Sequence, residues 1–370
     1  MTREFDFLLA AVRRFFQPES PLPSMEGLEW NEVLRLADRH AVTAFFCRAC
    51  QNPELKETSL RAARFNLTLS AELVRLLDLL EKQRIDVVSL KGPVLGAALY
   101  GDEALKTSSD LDLLVLPSDA VHAIRALQSI GYRLDSTAHW PAERALLRDP
   151  NSELSFSDPS GRVKLDLHWR LLPSYFPVIA DDADLWVRLR PVAWSRARAN
   201  TLAPEHLLPF LCVHGAKHMW ERLGWLCDVA RLLQVERNLN WPELFARARR
   251  SDTRRMLALG MALAADLLGI ELPPAARDSA FADPRVRELA ATAIARMRAD
   301  GPPSAFTTTM FLARAFERRN SRIRLAAGMV LEPNEAEYRA LQLPPRLYGM
   351  YYFLRPLRLT IKYGRRVAGL

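Results

Sequence analysis

Three carboxylates stand out as residues that could do chemistry together. Asp110 and Asp112 are two apart in SDLDLLV, and Asp166 lies in KLDLHW. The alternation of SSDLDLLVLP (residues 108–117), stopped by Pro117, predicts a strand, and RVKLDLHWRL (162–171) predicts another. On a strand, residues i and i+2 project from one face, so Asp110 and Asp112 would share it. Carboxylates a few ångströms apart repel unless a cation lies between them. Their oxygens suit Mg²⁺ or Mn²⁺. With Asp166 on a neighbouring strand, the three acids would form a two-metal site. Such a site clamps the attacking and leaving oxygens of a phosphoryl or nucleotidyl transfer. Taken alone, an Asp-x-Asp pair is also common on solvated strand ends.

A second element lies upstream. IDVVSLKG (85–92) is a short β-branched run ending in Lys91-Gly92, and PVLGAALYG (93–101) then has helical spacing with Pro93 in its first turn. Glycine lets a backbone approach a phosphate, and a helix N-terminus favours anions. Lys91 would neutralise triphosphate charge. An ordinary strand-to-helix turn with a surface lysine has the same sequence. The order of the elements says more: strand, Lys-Gly, helix, then the paired carboxylates, a helix, and KLDLHW. His168 shares the face of Asp166 by alternation and could join the metal shell, meet an acceptor, or be structural.

In this order the sequence resembles the DNA polymerase β-type nucleotidyltransferase superfamily. More closely, it resembles an uncharacterised bacterial nucleotidyltransferase family. The matching stretches are SLKGPVLGAALYG, KTSSDLDLLV, AIRALQSIGYR and KLDLHWRL, with FLCVHGAKHMWERLGWLCDVARLL (210–233) as a second signature. The resemblance implies a small mixed-sheet core of polymerase β type. It implies that Asp110, Asp112 and Asp166 hold the metals, and that Asp166 helps to activate the acceptor hydroxyl. Lys91, Gly92 and Ser109 would line the triphosphate. Lys106, where the family often has arginine, would act there as a point charge. The donor would be an NTP, with ATP expected, and Mg²⁺ or Mn²⁺ the cofactor. One departure stands out: Pro93 follows Gly92, where the wider superfamily has a serine hydroxyl.

The second signature places His214 and His218 four apart on an expected helix, with Lys217 between them. Such a pair can bind zinc, although a HExxH protease would need glutamate where Gly215 stands. The face could instead meet the acceptor or the nucleotide, together with Lys217 and Arg222, or pack against Trp220 and Trp225. Asp228 falls mid-helix among apolar neighbours and needs a partner, since an unpaired buried charge is costly. Lys217, His218 and Arg222 are candidates. Cys47 and Cys50 form a lone CxxC on a helix, a poor zinc signal, and Cys212 and Cys227 read as core.

These residues need elements to position them. Residues 4–16, 28–50 and 56–83 carry apolar residues at helical spacing. The α/β pattern follows, with a helix over 118–133 and two strands, 153–159 and 162–171, joined by a DPSG turn. Helical spacing returns over 205–219, 222–237, 241–250, 253–269, 283–299 and 304–330, with Asn240 a cap. The expected class is α+β. A helical segment (1–83) precedes a nucleotidyltransferase core (84–200), and a larger helical domain with a basic tail (201–370) follows.

The composition is that of a globular protein. Of 370 residues, 49% are hydrophobic and 25% charged, which excludes collagenous and wholly disordered classes. Four cysteines are too few for a disulfide scaffold, and no apolar run approaches the ~20 residues that span a bilayer. The expected location is the cytoplasm. The net charge is +8, and residues 341–370 hold six basic residues and no acid. That tail could meet an anionic partner, whether nucleic acid, membrane surface or acidic protein, or simply pack its aromatics on the body. Pro356 is expected to interrupt any single helix there.

The expected activity is metal-dependent transfer of an NMP from an NTP to a hydroxyl or phosphate acceptor, with release of pyrophosphate. The acceptor could be a small molecule, a peptide or RNA, because fold does not choose among them. The alternative is a catalytically degenerate relative that serves as a nucleotide-binding or interaction module.

Overall fold

Period-two alternation is confined to the middle of the chain, and so are the strands. A computed structural model describes residues 3–135, 152–179, 182–194, 197–333, 337, 340, 341 and 343–367. It shows an α+β protein, with seven strands in mixed pairing and helices before and after them. The chain divides into two compact units that interleave in sequence. One comprises Met1–Val74, Ser89–Ser109 and Ile179–Glu317, the other Arg75–Val88, Asp110–Val178 and Arg318–Leu370.

The first unit is mainly helical. Helix α1 (Arg3–Phe16) buries Phe5, Leu8, Val12 and Phe16, one stripe at helical spacing. The single helix expected over 28–50 is two, α2 (Trp30–Arg39) and α3 (Thr43–Cys50). The chain breaks at His40–Ala41, where Ala41 takes a left-handed φ of 52°. Neither glycine nor proline marks this break. Tertiary packing makes it: the Gly224 N–H donates to the His40 carbonyl at 2.9 Å. A Cβ on Gly224 would lie within 3.0 Å of that carbonyl oxygen, so the backbones touch. Helices α4 (Lys56–Lys82) and α5 (Gly92–Tyr100) match their expected spans within a few residues.

The helices that follow the strands begin with α8 (Pro204–Lys217), α9 (Leu223–Val235) and α10 (Trp241–Arg250), the last capped by Asn240 as expected. Helix α11 (Arg254–Leu268) is the centre, packing on α1, α8, α9, α10, α12 (Pro274–Phe281) and α13 (Pro284–Arg298). Its Gly260 admits the Cys212 sulfur of α8, which would lie only 2.5 Å from an added Cβ. Helix α14 (Ala305–Ala315) ends earlier than the expected 304–330 helix. Arg255 takes the freed carbonyls of Arg314 and Phe316 at 2.8 and 3.2 Å, and Asp252 accepts the Glu317 N–H at 3.1 Å. This unit also holds α7 (Asp182–Val187) and a hairpin of β6 (Arg190–Trp194) and β7 (Ala197–Thr201), which the sequence did not suggest.

The second unit carries the strands expected to bear the acids. Its order is β3-β4-β5-β2-β1, where β1 is Val87–Ser89, β2 Leu111–Val115, β3 Arg133–Leu134, β4 Glu153–Ser157 and β5 Lys164–His168. Strands β2 and β5 pair in parallel, with Asp112 opposite Asp166, whereas β4 pairs antiparallel with both β3 and β5. Leu111, Leu113 and Val115 are buried, and so is Asp112 among them. Helix α6 (Ala120–Ser129) buries Ala123, Ile124 and Leu127. Helices α15 (Arg319–Leu331) and α16 (Tyr351–Val367) complete the unit. The expected break at Pro356 is overturned: α16 runs through it as one helix. Proline there removes the N–H that would have bonded the carbonyl four residues earlier and sets its ring against that carbonyl, yet the helix continues on both sides of it. Among the described residues no helix is long and apolar enough to cross a membrane.

Candidate active site

The parallel register of β2 and β5 sets Asp112 and Asp166 side by side. His168, two residues beyond Asp166, turns to the same face, and its Nε2 lies 3.2 Å from Asp112 Oδ1. The antiparallel register of β4 adds two more groups. Glu153 sits opposite His168 and reaches its Nδ1 at 3.2 Å, and the Ser155 hydroxyl donates to Asp166 at 2.6 Å. Burial alone would lower the imidazole, but Asp112 and Glu153 on its two nitrogens outweigh this and raise it to about 9. Burial also raises the Asp166 carboxyl, with the Asp112 charge adding to the rise and the Ser155 hydroxyl opposing it.

Asp112, Asp166 and His168 each offer one ligand atom, and the three atoms lie within 4.8 Å of one another. Two carboxylates crowded on neighbouring strands favour a cation, and a carboxylate–carboxylate–imidazole set could hold a divalent one. Imidazole in the set fits Mn²⁺ better than Mg²⁺, which prefers oxygen alone. Asp110 stands just before β2, half-buried, and is not among these three donors.

The other residues singled out in the sequence fall in the first unit. Lys91 caps the N-terminus of α5, and Gly92 takes a φ of 68°, which favours glycine. Lys91 Nζ lies 5.9 Å from the Phe210 ring centre. From Phe210 the rings continue: His214 at 6.0 Å, then His218 at 4.8 Å and Trp225 at 5.1 Å from His214, with the Arg222 guanidinium 5.6 Å over Trp225. Phe210 is buried, and the other five, Lys91, His214, His218, Arg222 and Trp225, are half-buried. Lys217 ends α8, half-buried.

A tight corner between α8 and α9 builds this array. Met219 and Trp220 both take left-handed conformations, with φ of 52° and 56°. Side chains there cost on the order of 1–2 kcal/mol per residue. The Trp220 N–H donates to the Gly215 carbonyl at 2.8 Å, and its buried indole lies against Gly215, where a Cβ would come within 2.6 Å. Gly215 is thus the space that the Trp220 ring fills.

Lys106 and Asp228 meet in the interior, Nζ to Oδ2 at 2.8 Å, and the Tyr100 hydroxyl donates to the same carboxylate at 3.2 Å. The partner of Asp228 is therefore Lys106, not Lys217, His218 or Arg222. Ser109 lies on the rim of an open cavity of about 550 Å³, with Ser108, Arg39, Arg222 and Arg296 among its walls. The four cysteines are thiols. Burial pushes Cys47 up to about 11 and Cys50 up to about 12, so neither is a ready thiolate.

Glu153, Ser155, Phe210 and Trp225 join these groups without having been singled out for chemistry. The alternation of ELSFS carries the signal for the first two: it puts Glu153 and Ser155 on one face of a strand that returns beside KLDLH. The rings have the spacing of buried helix residues and carry no such signal.

The model of a family described as uncharacterised nucleotidyltransferase matches residues 26–269, and the chain belongs to that family. The match takes in all seven strands and ends with α11. No curated protein matches the chain.

Proposed function

We propose that this member of the uncharacterised nucleotidyltransferases transfers an NMP from an NTP, with ATP the expected donor, to a hydroxyl or phosphate acceptor and releases pyrophosphate. The observation that carries the reading is the register of Asp112 against Asp166 with His168 on the same face. Asp112, Asp166 and His168 would hold the divalent ion, with Asp110 two residues before Asp112. When bound, that ion neutralises triphosphate charge and favours the ionised form of an acceptor hydroxyl. Ser155 orients the Asp166 carboxylate, which would take the acceptor proton. Glu153 orients the His168 ring through Nδ1.

Lys91 and Gly92, at the N-terminus of α5, and Ser109 would receive the triphosphate. Backbone N–H groups and one ammonium suit a polyanion there. Pro93 occupies the first turn of α5 and supplies no hydroxyl. The rings of His214, His218 and Trp225, with Arg222, form the face proposed to meet the nucleotide or the acceptor. Positioning and electrostatics would carry most of the acceleration, as in other phosphoryl transfers.

The test is calorimetry with ATP, GTP, CTP and UTP, each with Mg²⁺ or Mn²⁺, on the wild type and on an Asp110→Asn, Asp112→Asn double variant. Metal-dependent binding that the variant loses supports the site and names the donor. A folded wild type that binds no NTP sinks the transferase reading and leaves the interaction-module alternative.

A further inference from the structure

Helix α16 lies beyond the span that the family model matches. One side of it is tied down. The Tyr351 hydroxyl donates to the Leu341 carbonyl at 2.6 Å and accepts from the Leu343 N–H at 2.9 Å. Arg355 donates to the Met329 carbonyl at 2.9 Å and to Glu337 at 3.0 Å, and Arg358 holds the other oxygen of Glu337. Residues 351, 355 and 358 fall within one narrow sector of a helix with 3.6 residues per turn.

The opposite sector is apolar and uncovered. Phe353 is 79% exposed, Leu357 58% and Ile361 50%, four residues apart and therefore in one stripe. A globular protein ordinarily buries the apolar stripe of a helix and solvates the polar side. Here the order is reversed: the arginine side faces the unit's own body and the apolar side faces out. Met350 and Leu347, 45% exposed each, extend the apolar surface just before the helix.

Charge selects the occupant. Residues 341–370 carry Arg346, Arg355, Arg358, Lys362, Arg365 and Arg366 and no acid. Glu337 pairs with Arg355 and Arg358. A second copy would bring the same positive charge to the face, and like charges oppose that pairing. An anionic lipid surface offers both what the stripe lacks, an apolar layer, and what the arginines and lysine attract. A helix with an apolar face and a basic remainder lies in the plane of such an interface.

We propose that α16 docks this protein on the surface of an anionic membrane, with Phe353, Leu357 and Ile361 entering the headgroup–acyl boundary and the net positive charge of residues 341–370 drawing it to the anionic headgroups. The inference stands independently of the transferase reading. The protein would then act at a bilayer surface without crossing it.

Co-sedimentation of the full-length protein with vesicles tests this. Vesicles of phosphatidylcholine alone are compared with an equal mixture of phosphatidylcholine and phosphatidylglycerol. The wild type should bind the mixed vesicles, bind the neutral ones far more weakly, and release as salt is raised. A Phe353→Ser, Leu357→Ser, Ile361→Ser variant should lose binding by on the order of 100-fold or more. A Lys362→Gln, Arg365→Gln, Arg366→Gln variant should lose on the order of 100-fold on the mixed vesicles. Melting of both variants should match the wild type, and Phe353→Trp should bind as well as wild type, with a blue-shifted emission on mixed vesicles. Three results would overturn the proposal: no binding of the wild type to mixed vesicles, undiminished binding by the serine variant, or light scattering that shows a dimer which the serine variant dissolves. Binding to RNA but not to vesicles would overturn it as well and assign the basic residues to nucleic acid.

Discussion

The ammonium of Lys106 lies 2.8 Å from the carboxylate of Asp228, and both side chains are shut away from solvent. The two residues come from distant parts of the sequence: Lys106 four residues before Asp110, Asp228 in the middle of α9. Desolvating two charges is unfavourable, and their attraction offsets it only while both are present. The pair therefore ties the segment leading to Asp110 to α9.

Removing one partner should be far worse than removing both. Asp228→Ala should destabilise the protein by about 3–5 kcal/mol, because Lys106 is left buried and uncompensated. Lys106→Met combined with Asp228→Leu should recover most of that loss. Denaturant unfolding of the two single variants and the double variant measures the coupling directly. Additive losses would mean that the pair is not a unit.

The carboxylates of Asp112 and Asp166 should trade stability against function. They stand in register on neighbouring strands, and burial together with Asp112 holds the Asp166 carboxyl above its ordinary range. A carboxyl raised in the folded state makes the protein less stable as pH climbs above its unfolded value, near 4. Asp166→Asn removes that burden. In metal-free buffer at neutral pH its melting temperature should equal or exceed the wild type's, while metal-dependent nucleotide binding is lost. A large fall in melting temperature would show that the carboxylate is structural.

Acid should weaken the first unit through His40. This ring is buried against Phe5, its Nδ1 accepts the Leu223 N–H at 3.3 Å, and burial together with the charges of Arg39, Arg222 and Arg35 pushes it down to about 3. The unfolded chain then binds the proton first, so stability rises with pH between about 3 and 6.5. The slope from this group is at most about 1.4 kcal/mol per pH unit. His40→Asn keeps an acceptor near the Nδ1 position and should flatten unfolding free energy against pH in that window. An unchanged slope would remove His40 as its source.

Glycines 215 and 260 should tolerate no methyl group. An added Cβ would come within 2.6 Å of the Trp220 ring or 2.5 Å of the Cys212 sulfur, both fully buried, so something must shift. Gly215→Ala and Gly260→Ala should each cost about 1–3 kcal/mol in urea unfolding. Gly101→Ala has open space around it, and only its left-handed φ of 69° would be strained. It serves as the control without a clash.

What could be read in advance follows the range of the forces involved. Alternation over SDLDLLV and KLDLHW showed the strands and the shared face of Asp166 and His168, because a period of two is local. The Asn240 cap and the helix begun by Gly92 and Pro93 are local too. The break at Ala41 was not legible, since the backbone of Gly224 makes it from far along the chain. The hairpin of β6 and β7 was missed because LRPVAWSRARANT mixes proline, arginine and asparagine into a stretch whose pairing decides its conformation. The partner of Asp228 was missed for the same reason: no periodicity links α9 to Lys106. Proline in α16 was weighed as a breaker, yet the helix continues on both sides of Pro356.

The left-handed pair Met219–Trp220 makes the ring array hostage to a fully buried residue. His214 and His218 ride on the end of α8, and Trp225 on the start of α9. The angle between them is set where the buried Trp220 indole wedges beneath Gly215. An engineer who wished to change what that face accepts could leave every ring of the array alone and recut the wedge. Equally, a screen that scores only surface positions would overlook it.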